Sequence, residues 1–139
     1  MIYYKIFPKC SSEALTYNSG DSKNRALLKA DANLDTQLWA LIEVINGTDH
    51  GFALLNKSSD MVLAAPDNYA KLQAISQADI FKGDGRRATW KWTGLGYGAL
   101  QLQRNTDMNL NVWSDNTGVG VWDWSQGKDN EVWRFERVV

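Results

Sequence analysis

Few residues in this chain could support catalysis. The one histidine, His50, has no cysteine or acid cluster spaced to share a metal with it. The one cysteine, Cys10, lacks a partner histidine and a Cys-x-x-Cys spacing, so it reads as a small structural residue that can form no internal disulfide. Asp115, Asp123 and Asp129 could supply paired carboxylates, but acids in the loops of a β protein are usually just solvated. The run Asp107-Met108-Asn109-Leu110-Asn111 begins like a calcium loop, yet Val112 and Gly118 stand where such a loop needs glycine and a bidentate glutamate. Gly94-Leu95-Gly96-Tyr97-Gly98 has neither the spacing nor the following helix of a phosphate cradle, so it reads as a joint between segments. No catalytic residue, metal or cofactor is therefore expected. What remains is aromatic: seven tryptophans and five tyrosines in 139 residues. Half-exposed aromatic faces can stack on the apolar side of a ligand. With fifteen basic residues against sixteen acidic ones there is no basic face to neutralise phosphates, which argues against nucleic acid.

The elements that must carry these residues come from an internal period. Ser11-Ser12-Glu13, Ser58-Ser59-Asp60 and Asn105-Thr106-Asp107 are each a polar pair followed by an acid, 47 positions apart. Lys57, Asp60, Met61 and Leu63 match Arg104, Asp107, Met108 and Leu110. Apolar residues fall in step as Ile6, Ala53 and Leu100, then as Pro8, Leu55 and Leu102. Period-two alternation on both sides of a polar turn predicts a hairpin in each copy. Each copy closes with two large apolar residues two positions apart: Trp39 and Leu41, Trp90 and Trp92, Trp133 and Phe135. Such pairs share a strand face, and all six read as core, where truncating a tryptophan costs roughly 3–5 kcal/mol. Trp122-Asp123 alone would suggest a propeller blade, but propellers need about four to eight blades and three copies exhaust the chain.

The closing segments are Gln37-Leu38-Trp39, Ala88-Thr89-Trp90 and Glu131-Val132-Trp133. With the period and the length, they make the whole chain similar to the ricin B-type lectin family, whose closing motif is Gln-x-Trp. The resemblance implies an all-β β-trefoil: twelve strands in three sets of four, six forming a barrel and six capping it. It also implies non-catalytic binding of glycans or glycoconjugates. In that family each repeat can hold a shallow pocket with an Asp at the end of the second strand, an aromatic in the third, and an Asn just before Gln-x-Trp. Carried onto the third copy, Trp122 is the stacking platform, Asp123 its polar neighbour, Trp124 a core residue and Asn130 the hydroxyl-binding amide. Asn111 falls where the family has its Asp, and Asp129, Asp115 or Trp113 would complete the pocket. The family favours galactose or GalNAc; an amide at 111 accepts more weakly than a carboxylate and also donates, which bears on the preferred sugar. Ideal alternation puts Trp122 and Trp124 on one face, so separating them into platform and core requires a bulge or bend. In the first copy Thr16 or Tyr17 takes the Asp place, Lys29 the aromatic place and Thr36 the Asn place, a candidate second site. The second copy offers Ala64 and Arg87 and no site.

One domain, residues 1–139, with repeats at about 1–46, 47–95 and 96–139, can bury about two thirds of its unfolded surface without staples. Strands are expected at 3–7, 14–17 and 25–31, with closing strands at each Trp. In the second copy the third strand fits either 71–75 or 78–82. The last copy places strands at 109–113, 119–124 and 131–138. No charged leader with a long apolar run and no stretch of 18 apolar residues is present, so neither a signal peptide nor a spanning helix is expected. The expected location is cytoplasmic, or exported without a signal peptide, and Asn46 and Asn56 would then escape glycosylation. A homodimer would raise avidity for glycans. The main rival is a trefoil protease inhibitor acting through an exposed loop at 67–77 or 82–87; a carbohydrate-targeting partner of a separate toxin or hydrolase chain is another.

Overall fold

A computed structural model describes residues 1–46, 49–65, 73–76, 88–92, 96–103, 108–113 and 118–138. Six strands form a barrel: β1 (Tyr3–Pro8), β4 (Trp39–Asn46), β5 (Asp49–Asn56), β8 (Trp90–Trp92), β9 (Leu100–Leu102) and β12 (Trp133–Val138). They pair antiparallel in the order β9-β8-β5-β4-β1-β12. An isolated bridge between Gly98 and Trp133 closes the ring, with each backbone N–H donating to the other carbonyl at 2.9 and 2.8 Å. The remaining six strands are three hairpins: β2 (Ala14–Tyr17) with β3 (Ala26–Lys29), β6 (Met61–Ala64) with β7 (Gln73–Ser76), and β10 (Met108–Val112) with β11 (Val119–Asp123). This is the expected β-trefoil, closed so that the barrel leaves no free edge.

The closing tryptophans organise the core as the pattern implied. Trp39, Trp90 and Trp133 are buried to 1% exposure or less. Each indole N–H donates to a carbonyl at the heart of its own repeat: Leu15 at 3.0 Å, Leu63 at 3.2 Å and Leu110 at 2.9 Å. A buried indole needs such a partner, since an orphaned donor would cost about 1–3 kcal/mol. Each of these tryptophans also pairs with the opening strand of its repeat, as Tyr4–Trp39, Phe52–Trp90 and Gly98–Trp133.

That pairing corrects the sequence register. Equivalent positions in the opening strands are 48 and then 46 residues apart, so Leu54, not Ala53, stands with Ile6 and Leu100 in the core, all three fully buried. Ala53 and Leu55 face a second apolar cluster with Ala40, Val44 and Val62. A single-residue slip turns every side chain to the other face of a strand, which is why the choice matters. The turns agree: the Ser11 hydroxyl accepts from the Glu13 N–H, and the Ser59 hydroxyl from the Met61 N–H, a correspondence of 48.

Leu41 departs from the expected core. It is 39% exposed, because β4 beyond Trp39 pairs with β5 as a ribbon running to Asn46 and Asp49. Its counterparts Trp92 and Phe135 pack partly buried against the core, edge to face with centroids 5.1 Å apart. In the second copy the third strand is β7, overlapping the first of the two expected placements. Cys10 is exposed rather than structural filling, and His50 lies exposed on β5 opposite Ile45. Asp115, the tripeptide 105–107, Arg87 and the candidate inhibitory loops, apart from 73–76, lie outside the described residues.

Candidate functional site

The site starts from the alternation of the β10–β11 hairpin. Leu110 and Val112 on one strand and Val119 and Val121 on the other point into the core. The intervening positions lie on the opposite face of the hairpin in cross-strand pairs, Asn111 opposite Gly120 and Asn109 opposite Trp122, and both asparagines are buried. Trp113 follows directly on β10, its backbone N–H bonded to the Gly118 carbonyl at 2.9 Å. Its indole lies on Gly120 so closely that a Cβ there would fall 2.1 Å from Nε1 and 2.5 Å from Cε2. Asn130, in the turn before β12, completes the wall. Its carbonyl accepts from the Val112 N–H at 2.9 Å, and its side-chain amide donates to Oδ1 of Asn111.

The result is a cleft of about 360 Å3 lined by Asn111, Val112, Trp113, Trp122 and Asn130. Asn111 is 4% exposed, and its Nδ2 has no hydrogen-bond partner among the described residues. A buried amide donor without a partner costs about 1–3 kcal/mol, so a ligand that brings an acceptor is favoured there. Trp122, 60% exposed, offers a broad face at the mouth. Two indoles and two amides, with no titratable side chain among the described lining residues, suit a neutral ligand with one apolar side and several hydroxyl or carbonyl groups.

Of the sequence-derived site residues, the structure brings Asn111, Trp113, Trp122 and Asn130 into this one lining. Asp123 and Asp129 stay outside it and are exposed, Asp129 lying 4.0 Å from the Lys9 ammonium. Partial desolvation, with a smaller contribution from the Asp129 charge, pushes the thiol of Cys10, which is not among the described lining residues, above its ordinary pKa. Among the described residues no group of three His, Cys, Asp or Glu could hold a metal.

Trp124 is not core. It lies just beyond the end of β11 and is 46% exposed. Its indole rests on the turn at Gly127, where a Cβ would sit 3.3 Å from Cζ2. Glu131, 1% exposed, holds that turn by accepting from the backbone N–H of Ser125 at 2.8 Å and of Gly127 at 3.0 Å. Gln37, its equivalent in the first repeat, accepts from Ala32 N–H at 2.9 Å and donates to the Ala30 carbonyl at 2.8 Å.

The first repeat is built differently at the matching places. The tryptophan hydrogen bonds align Leu15 with Leu110, which puts Thr16, not Tyr17, at the position of Asn111. The Thr16 hydroxyl donates to the Ala14 carbonyl at 2.8 Å and accepts from Gln37 at 3.3 Å, and the residue is buried. Lys29 is exposed at the place of Trp122; Thr36 is half-buried, its carbonyl accepting from Asn56 at 2.9 Å. Gly120 is the residue that sequence reasoning missed. The signal was a lone glycine inside an apolar strand, which marks a close approach by something else.

No protein-family profile matches the chain, and no curated protein does. Solved structures do match. ThreeFoil, a designed threefold-symmetric protein, superposes with a TM-score of 0.77 at 21% identity, covering 96% of each chain. The ricin B-like lectin of Macrolepiota procera, solved with lactose, gives 0.71 at 18% identity over 98% of this chain and 95% of that one. An endo-β-galactosidase from Clostridium perfringens that releases GlcNAcα1-4Gal gives 0.83 at 12% identity, and the chain spans about a third of that enzyme, 33%. At such identities the likeness establishes the architecture: the chain is a β-trefoil.

Proposed function

We propose that this β-trefoil is a non-catalytic glycan-binding module whose main site is the third-repeat cleft. The observation that carries the reading is the juxtaposition of the exposed Trp122 indole with the buried Nδ2 of Asn111, which has no partner among the described residues. A pyranose has an apolar C–H face for the indole and ring or substituent oxygens for the amide. Trp113 and Asn130 supply the second wall and a second amide, and Asp123 and Asp129 stand at the rim. Galactose or GalNAc is the favoured sugar; the lactose complex of one structural neighbour and the GalNAc complex of another, an earthworm R-type lectin, support that choice. A single open cleft binds a monosaccharide near millimolar, about −4 kcal/mol. Homodimerisation would then multiply avidity by roughly 10²–10⁴ and make the protein an agglutinin.

A glycan array run on the wild type, Trp122→Ala and Trp133→Ala tests this. Trp122→Ala should lose binding while its unfolding transition stays with the parent, because the indole is mostly in solvent. Trp133→Ala should lower stability by roughly 3–5 kcal/mol before any question of binding arises. Silence of the wild type across a broad array, or undiminished binding by Trp122→Ala, would overturn the proposal.

A further inference from the structure

The cleft has room for one sugar ring, standing at the lower end of the ~300–1,000 Å3 range of small-molecule pockets, yet the aromatic surface does not end with it. Trp124 follows Trp122 by two positions, just past the end of β11, roughly 6.5–7 Å along an extended chain. Both indoles are exposed, at 60% and 46%. Two adjacent exposed tryptophans are unfavourable in water and mark a contact surface.

The way Trp124 is mounted is the second observation. Gln126 and Gly127 both adopt left-handed backbone, with φ of 68° and 76°, a conformation that is strained for glutamine. The buried Glu131 carboxylate fixes this turn through the Ser125 and Gly127 N–H groups. The absence of a side chain at Gly127 lets the indole lie against the backbone. A merely solvated tryptophan needs none of this. A preorganised aromatic plate loses little entropy when something stacks on it.

Resting on the glycan reading above, we propose that Trp124 is a second subsite and that the ligand is an oligosaccharide, one ring in the cleft and the adjoining ring on Trp124. The third-repeat Glu131 in place of glutamine belongs to this device. It presents two acceptors to the turn that carries the plate, where Gln37 presents one acceptor and one donor to its own loop.

The test is calorimetric titration of the full chain with β-linked galactose, xylose and N-acetylglucosamine oligomers of one, two and four units. At least one series should tighten about ten-fold from one unit to two or four, the scale of one aromatic contact. Trp124→Ala should remove that gain while leaving monosaccharide affinity and the melting temperature unchanged, and Trp124→Tyr should restore most of it. Equal binding at every length in every series that binds, or a gain that survives Trp124→Ala, overturns the second subsite and leaves the cleft standing. Failure of every series to bind overturns the glycan reading and this inference together.

Discussion

One hydrogen atom decides whether the cleft exists. Gly120 pairs with Asn111 and lies beneath the Trp113 indole, with no space for a methyl group. Gly120→Ala should therefore displace the indole, weaken glycan binding at least ten-fold, and cost about 1–3 kcal/mol of stability through overpacking. The stability cost should vanish when Trp113→Ala is made as well, which urea unfolding of the two single variants and the double variant would measure. A cost that persists in the double variant would place the problem in the strand backbone instead. Asn111, Trp122 and Asn130 were legible from the sequence because the family pattern names their places. The role of Gly120 was not, because its partner lies seven positions away across the hairpin and only the folded register brings them together.

The turn before β12 and the loop after β3 show how the same scaffold position takes different side chains. Glu131 meets two backbone donors, while Gln37 meets a donor and an acceptor. Exchanging them should hurt unequally. Glu131→Gln keeps one acceptor oxygen but loses charge, a loss of about 1 kcal/mol. Gln37→Glu aims a carboxylate oxygen at the Ala30 carbonyl, a loss of roughly 2–4 kcal/mol; equal losses in denaturant melts would refute the assignment. The family pattern misplaced Trp124 as core; the residue stands past the end of β11, where no partner strand covers it among the described residues, and is exposed.

Lys5 on β1 ties the loop after β3 to the barrel. Its side chain is nearly buried, lies 2.7 Å from Asp31 and also donates to Asn33. The hydrogen bond from Lys5, helped by its charge, holds the Asp31 carboxyl below its ordinary pKa. A lowered folded-state pKa means that the pair contributes above pH about 4, the unfolded carboxylate value, and is lost as pH falls through the folded one. Wild type should thus exceed Asp31→Asn in stability at pH 7, and the gap should close near pH 2. A gap that stays constant with pH would remove the ion pair as its cause.

On the glycan reading proposed above, the first repeat is not equipped as a second site. The Thr16 hydroxyl is already engaged by Ala14 and Gln37, and Lys29 replaces the platform. Titration with a saturating glycan should give one site per chain, so monomer should bind without agglutinating cells, and cross-linking should appear only where sedimentation shows dimer. Two or more sites per chain would contradict this. The threefold fold was readable because an average period of 47 survives in the sequence. The individual offsets of 48 and 46 were not, since compensating one-residue changes cancel in any average and are resolved only by which strands close the ring.

The seam of that ring joins Tyr3 to Val138 and continues through six residue pairs to Pro8 and Trp133. β1 pairs with β4 of its own repeat on one side, but its other neighbour, β12, comes from the far end of the three repeats. Contacts of such long span slow folding toward milliseconds to seconds. Until β12 docks, the far side of β1 is an unpaired edge, open to misjoining with another copy.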